Sequence, residues 1–135
     1  MNAERQRQKR RNQPAVAILR DSKKSDRKKG LDNDLDLAFI ESLIENPCFY
    51  CGETLLRMTL DRRDNSLGHL KSNVEAACLR CNYVRGAMPY EAWLYLVPGI
   101  RQAREAGAFG EWVGGMHKFV GVLKMAKGSV CKTDM

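Results

Sequence analysis

Two cysteine pairs, Cys48-Phe49-Tyr50-Cys51 and Cys78-Leu79-Arg80-Cys81, bracket the stretch of sequence that decides the fold. The interval between the pairs is long enough for a hairpin and a loop, so the chain can bring four thiolates to the corners of a tetrahedron. Structural zinc prefers that coordination. The sequence therefore predicts one zinc ion bound by Cys48, Cys51, Cys78 and Cys81.

The residues between and after the pairs follow strand and helix patterns. Leu56, Met58 and Leu60 alternate with polar residues, which predicts a strand over residues 55–61. A polar loop over residues 64–72 leads to a short second strand over residues 73–77. A helix then begins at Cys78 and is ended by Gly86. The fold class predicted is a small α+β unit in the order strand, loop, strand, helix.

The whole chain divides into five predicted segments. Spacings of three and four between apolar residues predict a helix over residues 31–46 that packs on the zinc-bound core of residues 47–87. Residues 88–127 form a helical extension, in which Pro98 breaks or restarts the helix and residues 116–127 form a last helix. Residues 1–30 are predicted to be a flexible basic arm, and residues 128–135 a tail.

The basic charge is concentrated in the arm. Residues 1–30 contain eleven basic and three acidic residues, a net charge of +8, whereas the whole chain carries +7. Such a segment buries too little apolar surface to fold alone, and its expected partner is a polyanion, DNA more than RNA. A solubility tail or a mitochondrial transit peptide is the alternative interpretation. The predicted nucleic-acid contacts are Arg10, Arg11, Lys23, Lys24, Lys28, Lys29, Arg63, Arg80 and Arg85.

The cysteine count bears on the compartment. Four of the five cysteines belong to the pairs, and Cys131 is left over. An odd count with metal-type spacing favours a reducing compartment, such as the cytoplasm or the nucleoid, with a phage or organelle context also open. We find no apolar run that approaches the length of a membrane span. A homodimer or a larger assembly stays open, since no heptad pattern supports it.

Polar residues at fixed positions around the cysteines carry a family resemblance. Asp61 at the end of the first strand, Asn73 at the start of the second, and Asn82 directly after Cys81 resemble the zinc-stapled HNH endonucleases of the His-Me finger, or ββα-metal, superfamily. Similar patterns occur in the phage endonuclease VII type and in homing-type proteins with an Asp-Arg-x-Asp-Asn segment. The resemblance covers residues 47–86. It implies a DNA endonuclease in which Asp61 and Asn82 hold one Mg²⁺ or Mn²⁺ and Asn73 braces the loop beside the catalytic base.

The sequence departs from that family at the base. The family usually places a histidine directly after the acid, but Arg62 stands there, and a guanidinium does not accept a proton near neutral pH. Arg62 can still hold a phosphate by two hydrogen bonds. The candidates for a substitute base are His69 and Asp64. An endonuclease and a binding protein that has lost catalysis are therefore both open, with a protein-interaction module as a third interpretation.

Each of these residues also has a structural interpretation. Asp61 and Asp64 could form surface ion pairs with their neighbouring arginines, which contribute little to stability. Asn82 could satisfy the loop backbone, and His69 could be an ordinary loop residue. His117, on the last predicted helix, is expected to be structural.

Overall fold

A computed structural model describes residues 3–5 and 13–115 of the 135-residue chain. The elements, in chain order, are α1 (Pro14–Lys29), α2 (Leu37–Leu43), β1 (Met58–Arg62), β2 (Val74–Cys78), α3 (Leu79–Arg85) and α4 (Tyr90–Glu105). The predicted α+β class is confirmed. The predicted helix over residues 116–127, the tail, His117 and Cys131 lie outside the described residues.

The two strands form an antiparallel hairpin in which Met58 pairs with Cys78 and Asp61 pairs with Glu75. The loop between them is closed by a hydrogen bond of 2.8 Å from the Arg63 N–H to the Asn73 carbonyl. The strand β2 is buried along its whole length and runs directly into α3. The predicted order of strand, loop, strand and helix is therefore present, with strand bounds moved by one to three residues.

Two apolar clusters include residues of this hairpin. The first surrounds the four cysteines and includes Tyr50, Met58 and Trp93, with the Tyr50 and Trp93 rings 5.3 Å apart. The second joins α1 and α2 to the sheet. Its buried members are Ala15, Leu35, Ile40 and Val74. The loop end of the hairpin, at Val74, therefore lies near α1, whereas the opposite end, at Met58 and Cys78, lies in the cysteine cluster.

The helix α1 corrects the prediction of a flexible arm for residues 14–29. Ala15 and Ala17 are buried, because the apolar patch of the arm packs against α2. Pro14 suits the first turn, and Gly30 ends the helix in a left-handed conformation with φ of 70°. The basic last turn also complements the helix dipole. Local composition predicts disorder here because it does not show the surface on which the segment docks.

Two other helices differ from their predicted bounds. The helix α2 begins only after Asp36, whose side chain accepts a hydrogen bond of 2.9 Å from the Phe39 N–H. The helix α4 runs through Pro98 instead of breaking there. Proline removes one helical hydrogen bond, and the loss is tolerated here because Leu94 and Pro98 face solvent. No helix within the described ranges is long and apolar enough to cross a membrane.

Candidate functional site

The four paired cysteines form one buried cluster. Their sulfur atoms all lie within 4.8 Å of one another, and Cys51 Sγ is 3.8 Å from Cys78 Sγ. A tetrahedral zinc site with Zn–S bonds of about 2.3 Å has sulfur atoms about 3.8 Å apart, so the cluster fits zinc. Cys78 also caps α3, since its sulfur accepts a hydrogen bond of 3.4 Å from the Cys81 N–H.

Local backbone geometry holds the first cysteine pair. Gly52 follows the pair with φ of 83°, a conformation that other residues rarely adopt, and its N–H donates to the Cys48 carbonyl. The N–H of Phe49 bonds to the Ala76 carbonyl at 2.8 Å, which joins this turn to β2. The two pairs therefore meet through main-chain contacts as well as through sulfur.

The four thiols lie close together, and this changes the pKa values on which metal binding depends. Hydrogen bonds to Cys48 and Cys51, together with burial, raise the pKa of Cys78 and of Cys81. Zinc binds thiolates, so a bound metal must displace the protons of these thiols. Metal binding is therefore coupled to proton release and to folding.

The predicted acid of the site, Asp61, is buried on the hairpin. Its Oδ2 accepts a hydrogen bond of 2.5 Å from the Tyr50 hydroxyl and one of 2.7 Å from Arg85 Nη1. Burial, followed by the hydrogen bond to Asp61, raises the pKa of Tyr50, so the phenol keeps its proton. A guanidinium therefore already neutralises the carboxylate that was predicted to bind a divalent cation.

Asn82 lies on α3, which packs against the strand that carries Asp61. Its Nδ2 donates to Thr59 Oγ1 at 2.7 Å and to the Leu60 carbonyl at 3.2 Å, so the amide nitrogen is bound to β1. An amide oxygen and an already paired carboxylate are few donors for a hard divalent cation. Mg²⁺ is usually bound through one or two protein ligands, with water and phosphate oxygens as the others, so Asp61 and Asn82 would be the residues to hold it here, in competition with the Arg85 guanidinium. We assign no step to such an ion.

Two arginines predicted to contact nucleic acid are instead internal. The Arg85 side chain is 1% exposed, and its guanidinium bonds to the carbonyls of Arg62, Arg63 and Met88 as well as to Asp61. Arg80 is buried, donates to the Trp112 carbonyl and stacks on Phe109, with 4.4 Å from its Cζ to the ring centroid. These contacts correct the prediction, because neither guanidinium presents a face to a phosphate.

Asn73 and Arg62 shape the hairpin loop. The Asn73 side chain accepts from the Asp64 N–H at 2.9 Å and donates to the carbonyls of Asp64 and Gly68. Arg62 Nη1 donates to the carbonyls of Asn65 and Leu67 at 3.1 and 2.8 Å. Both side chains therefore brace the loop between the strands.

One candidate base is disfavoured by its surroundings. Asp64 Oδ1 accepts hydrogen bonds from the Ser66 hydroxyl and from the Ser66 N–H. These bonds, the hydroxyl first, hold the pKa of Asp64 below its usual range. A carboxylate with a lowered pKa is a poor proton acceptor near neutral pH.

The other candidate, His69, is held by a carboxylate from α1. Its Nδ1 lies 3.0 Å from Asp26 Oδ2 and 3.1 Å from Asp26 Oδ1, and its main-chain N–H donates to Oδ2 at 2.7 Å. The His69 side chain is 15% exposed, whereas that of Asp26 is 1% exposed. The pair therefore joins a buried acid to a histidine that solvent can reach.

Sequence reasoning missed Asp26. It counted this residue only as one of three acids in a basic arm, since 43 positions separate it from His69. The available signal was weak: a polar residue on the helical face of Ala15 and Ser22, which are both buried.

The remaining basic candidates differ in accessibility. Lys24, Lys28 and Lys29 are exposed on α1, and Lys23 donates to Asn33 Oδ1 at 3.2 Å. Arg63 forms an ion pair with Glu75 and remains about half exposed. Arg63 and Asp64 also line an open groove of about 580 Å³ between the hairpin loop and α4, which His69 does not line. Arg10 and Arg11 lie outside the described residues.

The hairpin, the helix that follows it and the four-cysteine cluster form a small ββα unit with the fold of an HNH endonuclease. Among solved structures, the chain is similar to the rare-cutting HNH restriction endonuclease PacI, which is described as perturbing DNA. The TM-score is 0.57, with 17% identity over 70% of this chain and 81% of that one. No family model and no curated protein sequence matches the chain. The predicted HNH fold is thus confirmed.

Proposed function

We propose that this protein is a nuclease that hydrolyses phosphodiester bonds in DNA, with His69 as its general base. One observation carries the proposal: the distance of 3.0 Å between His69 Nδ1 and the buried Asp26, on the loop that joins the two strands of an HNH fold. The similar PacI structure belongs to a DNA-cutting enzyme, which supports DNA as the substrate.

The reaction assigned to His69 is a proton transfer. With Nδ1 protonated and bonded to Asp26, the neutral ring has its free lone pair on Nε2. That nitrogen takes a proton from the water that attacks phosphorus, an O–P bond forms, and the bond from phosphorus to the leaving sugar oxygen breaks. The leaving oxygen takes a proton from solvent water and departs as a hydroxyl group. General-base assistance is typically worth about a hundredfold to ten-thousandfold in rate.

The helix α1 is the proposed DNA-binding element. Its exposed lysines Lys24, Lys28 and Lys29 lie on the same helix as Asp26, which contacts the hairpin loop. Lysines placed against phosphates release condensed counterions, and this gain does not depend on the base sequence. A reducing compartment that holds DNA, the cytoplasm or the nucleoid, suits both this substrate and the thiol cluster.

The test is cleavage of supercoiled plasmid by zinc-loaded protein in Mg²⁺, in Mn²⁺ and with both withheld. We expect His69→Ala to lower the rate about a hundredfold to ten-thousandfold. His117→Ala, which removes the second histidine of the chain, is the matched control and should leave the rate unchanged. Equal rates for wild type and His69→Ala would contradict the assignment.

The sequence pattern leaves two subtypes of DNA cleavage open, homing-type and junction-type. A homing-type enzyme should cut a linear duplex at a defined site, whereas a junction-type enzyme should prefer branched DNA. Cleavage of matched linear and four-way-junction substrates, followed on denaturing gels, separates the two and distinguishes nicks from double-strand breaks. The same samples, examined by sedimentation, report whether a homodimer forms.

A second candidate function is DNA binding without cleavage. The observation that favours it is the ion pair of 2.7 Å between Arg85 and Asp61, together with Arg62 in the position usually held by histidine. A pure binding protein should show steep salt dependence and no cleavage with any divalent ion. Binding retained by wild type with no product under all three ionic conditions would support this candidate over the nuclease.

A further inference from the structure

We propose that Asp26 is a positioning residue for His69, which fixes the imidazole in the tautomer with its proton on Nδ1 and its lone pair on Nε2. The catalytic value of this arrangement rests on the proposed nuclease function. The tautomer itself can be measured without any cleavage assay, so the two proposals can fail separately.

The hydrogen bonds around Asp26 constrain both of its oxygen atoms. Oδ2 accepts from the His69 main-chain N–H at 2.7 Å and from Asn33 Nδ2 at 3.0 Å. His69 Nδ1 lies 3.0 Å from Oδ2 and 3.1 Å from Oδ1, so it faces both oxygens. Asn33 is held in turn, because it donates to Ser22 Oγ and accepts from the Leu35 N–H. The carboxylate is therefore fixed in the orientation that faces the imidazole.

The charge of Asp26 decides which ring nitrogen of His69 carries the proton. Burial opposes its ionisation, but the hydrogen bonds from the main-chain N–H and ring of His69 outweigh burial, and the pKa of Asp26 lies below its usual range. An ionised carboxylate can only accept hydrogen bonds. Oδ2 already accepts from two N–H groups that do not belong to the ring, which favours the ionised form by geometry alone, so His69 Nδ1, which faces the carboxylate, is the donor.

The contact also depends on a close approach of the backbone. A Cβ added at Gly68 would lie 2.0 Å from the Asp32 carbonyl oxygen and 3.1 Å from Asp26 Oδ2. Only glycine allows the loop to come this near to the end of α1. The residue before His69 thus brings the imidazole within reach of the acid.

The substitution Asp26→Asn is designed to reverse the tautomer. Two N–H donors converge on the position of Oδ2, so the asparagine carbonyl should occupy that position and its NH₂ group the position of Oδ1. Nδ1 lies 3.0 Å from the first position and 3.1 Å from the second, and an NH₂ group at 3.1 Å repels Nδ1–H but donates to a bare Nδ1. Nδ1 would then accept a hydrogen bond and the proton would move to Nε2, as in catalytic triads whose aspartate is replaced by asparagine. The change keeps the size of the side chain.

The experiment is ¹⁵N NMR of the imidazole nitrogens in the full-length, zinc-loaded protein, with His117→Ala used to assign the His69 signals. We expect Nδ1–H in wild type and Nε2–H in Asp26→Asn. Asp21→Asn, at a half-exposed position of the same helix, is the matched control and should keep the wild-type tautomer. An Nε2–H ring in wild type would overturn the proposal, even if the Asp26 variant did not fold.

Kinetics then separate the two proposals. If wild type cleaves DNA, Asp26→Asn should lower kcat about a hundredfold to ten-thousandfold with little change in KM, since the base is disabled and the DNA-binding lysines remain. Unchanged kcat in a variant with a reversed tautomer would overturn the positioning role. A wild type that cleaves no DNA but shows Nδ1–H would contradict the nuclease and support the assigned tautomer.

Discussion

Arg85 Nη1 lies 2.7 Å from Asp61 Oδ2, and both side chains are almost wholly buried. The same guanidinium bonds to the carbonyls of Arg62 and Arg63 at the end of β1. It therefore ties α3 to the end of the hairpin, at the position where the family resemblance implies a divalent cation.

Replacement of Arg85 should destabilise the fold. Arg85→Ala removes the guanidinium and leaves the Asp61 carboxylate buried beside the Tyr50 hydroxyl, and breaking a buried ion pair in this way costs about 3–5 kcal/mol. Urea unfolding monitored by circular dichroism measures the loss. Arg57→Ala, at an exposed position just before β1, is the control and should change the unfolding free energy by less than about 0.5 kcal/mol. Similar values for the two variants would show that the ion pair contributes little.

Gly68 should not tolerate a methyl group. Gly68→Ala brings Cβ to 2.0 Å from the Asp32 carbonyl oxygen, so the loop must move away from α1. We expect a loss of about 1–3 kcal/mol in the free energy of unfolding. Gly99→Ala is the matched control, since nothing lies within 4 Å of its added Cβ and alanine favours the α4 helix by up to about 1 kcal/mol. Equal effects of the two substitutions in thermal unfolding would contradict the close approach.

Zinc should be required for folding of the core. We expect metal analysis to find one zinc ion per chain, and removal by a chelator to unfold the hairpin, because the binding free energy is coupled to folding. Cys81→Ser should abolish stoichiometric binding. Cys131→Ser, outside the paired motif, should leave it intact. A chain that stays folded after complete zinc removal would contradict this prediction.

The exposed lysines of α1 should set the salt dependence of DNA binding. The double variant Lys24→Ala/Lys28→Ala should make the slope of log K against log salt shallower by up to about 2, because each phosphate contact contributes about 0.9. Fluorescence anisotropy with a labelled duplex measures the slope. Lys71→Ala is the control, since Lys71 forms an ion pair of 2.7 Å with Asp36 outside α1. A slope unchanged in the double variant would remove α1 from the DNA contact.

The zinc-type cluster and the order of elements around it could be predicted from sequence because their signals are local. The spacing of Cys48, Cys51, Cys78 and Cys81 specifies a tetrahedral site whatever the rest of the chain does, and the alternation before Asp61 is visible in seven residues. The position of Asn73 in the hairpin loop is equally local, since its partners Asp64 and Gly68 lie within nine residues.

The tertiary structure decided the partners of the charged side chains. The same composition that makes residues 14–29 resemble a disordered tail also permits a helix once Ala15 and Ala17 have a surface to pack on. Whether Arg85 faces a phosphate or Asp61 depends on how α3 packs against β1, which no sequence pattern records. The pair of Asp26 and His69 spans 43 positions, so it exists only after α1 docks on the hairpin loop. Local spacing thus determined the metal-binding framework, whereas burial and long-range docking determined which polar groups remain available for chemistry.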